Sequence, residues 1–328
     1  MKGKEFLRKV EMLTLSIVLC LAISGIGEAQ DKYPHMPINF IVGLPPGSTG
    51  DLMGRALCNA ASKTLGQPII VTNKPGAGQA MAMVSLKNSK PDGYNLGALM
   101  SGAFYGQHMR KVQYDCIKDF TFLIQFCEFQ QGILVRSDSP WKTFNELMDY
   151  AKVNPGKLRF SISGIGTVHH LVLERLALKL GTKWACVPFD GDSAATTALL
   201  GGHVDAQCGS SAWVPNVDAG QLRLLAVCGG GEKRMVKYPD VPTLRELGYD
   251  ITAPTFYAIG GPKGLTDHAV DILHKAFKKS MDDPDLIKMA AKFYMPLVYR
   301  SPQDFNTYLL DMDENVGDLV RRLGLRKE

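Results

Sequence analysis

Ile38-Asn39-Phe40-Ile41-Val42-Gly43-Leu44-Pro45-Pro46-Gly47-Ser48-Thr49-Gly50-Asp51 is the stretch on which the fold turns. Its first five residues read as a strand, and Pro45-Pro46-Gly47 turns the chain. Leu52, Met53, Ala56, Leu57, Ala60, Ala61, Thr64 and Leu65 then recur at helical spacing, with Gly66 as a stop. Ser48 followed three residues later by Asp51 has the pattern of a capping box with Asp in place of Glu. A strand, a tight loop and a helix in that order make one α/β unit.

The same alternation continues outward. Pro68 to Thr72 is a second strand, Pro75-Gly76-Ala77-Gly78 leads a helix to about Lys87, and Tyr94 to Met100 is a third strand after the Pro91-Asp92-Gly93 turn. A second series starts near Gly132-Ile133-Leu134-Val135. It runs through a helix opened by Thr143 with Glu146, a strand at Leu158 to Ile162 and the loop Gly164-Ile165-Gly166-Thr167. A helix follows from Val168 to Leu180, then strands at 184–188, 204–208 and 222–227. Thr243 to Leu247 reads as a short helix. Helices at 267–281, 284–293 and 302–323 close the chain without strand alternation of their own.

The fold class expected is α/β, with two domains of the flytrap type, each a mixed, mostly parallel sheet flanked by helices. The first domain takes residues 30–130 plus 254–328 and the second 131–253. The crossovers near 128–132 and 252–256 make a hinge.

Lys2, Lys4, Arg8 and Lys9 precede an apolar run from Met12 to Ile26 that ends in small residues at Ala29. This is a secretory leader pattern, too short for a membrane span, and cleavage is expected after Ala29 with periplasmic export. Loss of residues 1–29 removes four Lys or Arg and three acidic residues, lowering the formal net charge from +5 to +4. A mild positive balance without a basic run excludes tracking of nucleic acid and biases the protein toward small anions.

Six cysteines remain: Cys58, Cys116, Cys127, Cys186, Cys208 and Cys228. None stands in a Cys-x-x-Cys or Cys-x-x-His pair, so no metal is expected. Gly164-x-Gly166 lacks the third glycine of a dinucleotide fingerprint, and no phosphate-binding Gly-Lys loop occurs, so no cofactor is expected either.

Each series places a glycine-bearing loop between a strand and a helix. A helix start offers unpaired N–H groups and about half a positive charge, which suits an anion. His169 and His170 adjoin the second loop, and neighbours on a helix point about 100° apart, so one of them can face a cleft.

These motifs resemble the Bug family, the extracytoplasmic receptors of tripartite tricarboxylate transporters. The resemblance lies in Pro45 to Asp51, Leu65-Gly66-Gln67-Pro68, Asn73 to Gly78, Pro91 to Tyr94, His170, Val187-Pro188-Phe189, Leu200 to Asp205 and Pro239 to Thr243. It implies a solute-binding receptor, not an enzyme, that closes two domains on a small organic acid and hands it to membrane transporter subunits as a monomer. Carried over by position, Gly47, Ser48 and Thr49 with Gly164, Gly166 and Thr167 would cradle the carboxylate. Ala77, Gly78 and Ser101 would wall the site, with His170, Asp190 and Phe256 beside it and Asp51 capping its helix.

Three departures bear on which acid is held. Ser48 stands where the family has a second glycine, Asp190 replaces a Lys, and Phe256 replaces a Trp. The rival readings are a secreted hydrolase or isomerase using His170 and Asp190 as acid and base, and a periplasmic sensor subunit.

Overall fold

The computed structural model describes residues 33–229, 234–251, 254–322 and 324–326. The chain divides into two compact units, Met1–His35 and Met36–Glu328. The leader and its cleavage point lie outside the described residues. All elements below belong to the second unit.

One sheet of six strands has the order β11-β4-β10-β3-β1-β2, from β1 (Ile38–Val42), β2 (Ile69–Asn73), β3 (Asn95–Met100), β4 (Phe120–Cys127), β10 (Tyr257–Pro262) and β11 (Leu297–Arg300). A second sheet of five has the order β7-β6-β8-β5-β9, from β5 (Gln131–Arg136), β6 (Arg159–Ile162), β7 (Ala185–Pro188), β8 (Ala206–Ser210) and β9 (Leu222–Val227). Helices α1 (Thr49–Leu65), α2 (Ala80–Lys87) and α3 (Ser101–Met109) follow β1, β2 and β3. Helices α4 (Phe144–Val153), α5 (Val168–Leu180), α6 (Asp192–Leu200) and α7 (Val214–Asp218) follow β5 to β8. The chain ends in α8 (Asp267–Ser280), α9 (Pro284–Phe293) and α10 (Pro302–Arg322).

Local chemistry sets these boundaries. Ser48 Oγ accepts from Asp51 N to cap α1, and Gly66, at φ 69°, ends it by donating to Ser62 O. Thr143 and Glu146 complete a capping box on α4. On α1, Met53, Leu57, Ala60 and Ala61 are buried at three- and four-residue spacing, which turns one apolar stripe onto the sheet.

Several elements differ from the sequence reading. Helix α3 and strand β4 (Phe120–Cys127) were not read from the sequence; in α3, Gly102 and Gly106 interrupt the helical pattern. The closing helices do carry a strand between them: β11 is four residues long and pairs irregularly with β4 at the sheet edge. In place of the expected helix at 243–247, Thr243 bridges to Val227 and residues 244–248 form turns. Thr243 and Glu246 make both capping-box bonds, but Val227 N donates to Pro242 O and Val227 O accepts from Leu244 N, which holds this segment against the sheet.

Parallel pairs do not dominate either sheet. Four are parallel (β1 with β2 and β3, β6 with β7 and β8). Five are antiparallel: β10 and β5 each enter their sheet in the reverse direction after a crossover and make four of them, and edge strand β11 against β4 makes the fifth. The crossovers themselves are pinned together. Phe129 N donates to Thr255 Oγ1 at 3.0 Å, and Thr255 Oγ1 donates back to Phe129 O at 2.9 Å.

All six cysteines of the described chain are free thiols. Cys208 and Cys228 bring their sulfurs to 4.0 Å, yet β5 pairs with both segments and runs between them. Two strand spacings of about 4.8 Å exceed the Cα separation a disulfide spans.

Helix α1 reaches β10 through a glycine. A Cβ on Gly54 would sit 2.3 Å from Tyr257 Oη, a buried hydroxyl without a hydrogen-bond partner. Gly54→Ala should therefore cost about 1–3 kcal/mol. Tyr257→Phe removes the obstructing atom and an unpaired polar group, so the same substitution in that background should cost under about 1 kcal/mol. Denaturant unfolding of the two singles and the double measures this coupling.

Candidate functional site

Strands β1, β2 and β3 run parallel, so the loops that follow them gather at one sheet edge; β6, β7 and β8 do the same in the second sheet. Such an edge is where open α/β sheets hold ligands.

In the first sheet the organising group is the Asp51 carboxylate, 1% exposed. It accepts from Gly47 N at 2.8 Å, from Arg55 Nε at 3.0 and 3.1 Å, and from Asn73 Nδ2 at 2.8 Å. Asn73 Nδ2 also donates to Leu44 O, so one acid joins the loop after β1 to the end of β2. Burial works to raise its pKa, but the bonds from Arg55, Asn73 and Gly47 prevail and hold the carboxyl below its ordinary value of 3.8.

Asp51 thus caps its helix as expected, with a consequence the sequence did not show: the Gly47 N–H is already occupied. Ser48 N donates to Pro45 O and Asp51 N to Ser48 Oγ. Thr49 and Gly50 remain as the N–H groups of α1 without an intrahelical acceptor.

The second loop is closed in a similar way. Gly166 N donates to His170 Nδ1 at 3.3 Å, and Thr167 Oγ1 donates to Gly164 O at 2.8 Å. Helix α5 has no side-chain cap, and its first intrahelical bond is Leu171 N to Thr167 O. The N–H groups of Val168, His169 and His170 therefore lack an intrahelical acceptor. Of the expected cradle, Gly47 N and Gly166 N already have acceptors, and the unpaired N–H groups lie on the first turn of each helix.

His169 does what the sequence did not foresee. It is buried, with Nδ1 2.8 Å from Ser163 Oγ and Nε2 in a short contact with Gln131 Oε1. Asp192 Oδ1 lies 3.8 Å from Nδ1, and Asp192 in turn accepts from Ser210 N and Ser210 Oγ at 3.1 and 2.7 Å. One network thereby links the loops after β6, β7 and β8 to the crossover strand β5. Burial lowers the His169 pKa, with the Asp192 charge opposing. The neutral ring fits its partners, donating from Nε2 to Gln131 and accepting at Nδ1 from Ser163.

The remaining candidates separate. Ala77 and Gly78 are exposed, and Ala77, Gly78 and Gln79 all adopt positive φ (46°, 56° and 75°), a run of backbone strain of the kind kept at binding sites. Arg110 holds this run by donating from Nη2 to Ala77 O at 2.6 Å, and a Cβ on Gly166 would touch Met109 at 3.0 Å. The end of α3 thus joins the second loop to the Ala77–Gly78 loop. Arg110 and Gln79 were missed; Arg110 stood in the sequence beside Lys111 after an unread helix.

Ser101 is buried at the start of α3, its N–H donating to Phe256 O. The Phe256 ring does not face the loops. It packs between Phe104 and Phe305, with centroids at 5.9 and 5.0 Å, in the core under α3 and α10. Asp190 is exposed beyond β7, and Asp192 takes the structural role in that loop. His170 places Nε2 3.4 Å from Glu174 Oε1, so no His170–Asp190 acid–base pair is assembled. Cys186 Sγ stands 4.0 Å from that same oxygen.

The tripartite tricarboxylate transporter family receptor model matches residues 53–325. The chain belongs to this family. A relative from Cupriavidus necator, the UPF0065 protein in the gbd 5' region, is 37% identical across 100% of this chain and 99% of its own length. The periplasmic binding protein BugD has the same fold, with a TM-score of 0.79 and 26% identity over 90% of this chain and all of its own. MatC from Rhodopseudomonas palustris, solved with bound malate, gives 0.78 and 25% over 88% of this chain and all of its own. Members of the family are solute-binding receptors, not enzymes, and among the described residues of this chain no helix is long and apolar enough to cross a membrane.

The Asp51 hub carries a pH signature. A carboxyl whose folded pKa is depressed stabilises the fold above its unfolded value, and that stability is lost as pH falls through the folded one. Asp51→Asn should lower stability at neutral pH by roughly 2 kcal/mol. It should also remove part of the loss that the unsubstituted protein shows below pH 3.8. Urea unfolding at a series of pH values compares the two curves.

Proposed function

We propose that this protein is a periplasmic receptor that captures a small carboxylate between the first turns of α1 and α5 and delivers it to membrane subunits of a tripartite tricarboxylate-type transporter. The leader is removed after Ala29 and the receptor acts as a monomer. The observation that carries the reading is the paired helix start. Each sheet presents one helix whose glycine loop is closed by its own side chain, by Asp51 in one and His170 in the other, while the next N–H groups stay free for an oxyanion. The malate held by MatC, whose fold matches over the whole of that chain, supports a small organic acid as the class of ligand.

On this reading, residues 30–130 with 254–328 and residues 131–253 close about the crossovers pinned by Phe129 and Thr255. Closure would bring both helix starts to the same carboxylate, which neither holds alone. Arg110 and the Gln79 amide would line the wall. Shape and these side chains, not the backbone donors, would choose among acids.

Backbone donors can be deleted without unwinding the helix, because proline is tolerated at a first helical position. Thr49 and Val168 hold that position, and Ser48 and Thr167 before them are already extended (ψ 156° and 166°), as a residue preceding proline must be. Calorimetric titration with mono-, di- and tricarboxylates should find a binder. Thr49→Pro and Val168→Pro should each weaken it by about tenfold or more while leaving the thermal midpoint within a few degrees. Unchanged affinity in both variants would remove the helix starts from the site. Silence across the panel with folded protein would remove the carboxylate.

A further inference from the structure

Behind the second loop, His170 also stands in a cluster with two side chains that acid binding does not use. His170 and Glu174 are four residues apart on α5 and share a face, and Cys186 reaches them from the edge strand β7. His170 Nε2 is 3.4 Å from Glu174 Oε1, Cys186 Sγ is 4.0 Å from the same oxygen, and the three ligand atoms all lie within 4.8 Å of one another. Bonds of about 2.0–2.3 Å from zinc to nitrogen, oxygen and sulfur put tetrahedral neighbours about 3.3–3.7 Å apart, so closing the triad needs shifts of about an ångström.

We propose that His170, Glu174 and Cys186 bind one borderline-soft divalent cation of the Zn²⁺ type, with water as the fourth ligand. One imidazole, one carboxylate and one thiolate select such an ion over Mg²⁺ or Ca²⁺, which take oxygen ligands. The geometry provides an entry side as well: His170 is buried, whereas the Glu174 side chain is 33% exposed.

Binding rearranges protons. The Gly166 N–H now points at His170 Nδ1, so the ring proton sits on Nε2, toward Glu174. A cation on Nε2 needs that lone pair. The proton moves to Nδ1, where it faces the Gly166 N–H, and the Gly166 bond opens. The Cys186 thiol, which burial pushes up to about 12 with Glu174 acting in the same direction, loses its proton to solvent as the metal–sulfur bond forms. Metal capture and the closed form of the Gly164–Thr167 loop therefore exclude each other. The spacing rules that gave no metal see pairs close in sequence, whereas this set is completed by a strand twelve residues beyond Glu174.

The test needs no organic acid, so its result is independent of the carboxylate reading. Metal-stripped protein is titrated with Co²⁺ and followed by near-ultraviolet absorption, then challenged with Zn²⁺. One Co²⁺ per chain should bind with thiolate-to-cobalt charge transfer, and Zn²⁺ should displace it. Cys186→Ser should abolish that absorption and weaken Co²⁺ by about tenfold or more. Glu174→Gln, of nearly the same size, should weaken binding and keep the absorption. Failure of the unsubstituted protein to bind one Co²⁺ would overturn the proposal. So would the same absorption in folded Cys186→Ser, since another cysteine would then be the ligand.

Discussion

The N–H groups at the starts of α1 and α5 must find acceptors, and where each finds one shapes everything around it. A strand that turns sharply into a helix leaves up to four donors unpaired at the turn. In the first sheet Asp51 closes the glycine and leaves the first helical turn open. In the second His170 does the same four residues beyond Gly166. A carboxylate and an imidazole thus play one part in two unrelated loops, and each fixes the backbone conformation that exposes the next donors.

The two halves also share the way their loops are tied. Asp51 joins the turn after β1 to Asn73 at the end of β2, and Asp192 with His169 joins the turns after β6, β7 and β8. These buried networks are fully engaged, which makes the loops rigid before any ligand arrives. Rigid loops in each half are what a closing receptor would need, and on the proposed reading the Phe129–Thr255 clasp lies where the crossovers would turn.

The alternation of strands and helices was legible because β1 with α1 and β6 with α5 carry strong periodicity, caps and glycine stops. Short or interrupted elements were not: α3 contains two glycines, and β11 is a four-residue edge strand whose pairing depends on β4, itself unread. Family motifs pointed to two strand–helix loops, but which N–H groups each loop leaves unpaired depends on backbone direction. Asp51 could have bonded the Ser48 N–H as in an ordinary capping box; it bonds Gly47 instead, because the turn places Ser48 N on Pro45 O. Phe256 shows the opposite error. Position implied a place beside the site, whereas just before β10 the ring packs between Phe104 and Phe305 in the core. The His170–Glu174–Cys186 triad was invisible because its third member comes from another element.

A crystal structure of the exported protein with whatever acid accompanies it through purification tests the account most directly. The account predicts one carboxylate group within hydrogen-bond distance of Thr49 or Gly50 N on one side and of Val168 or His169 N on the other, with Gly47 N still on Asp51. A ligand bound elsewhere, or a carboxylate held by side-chain cations with both helix starts unused, would contradict it.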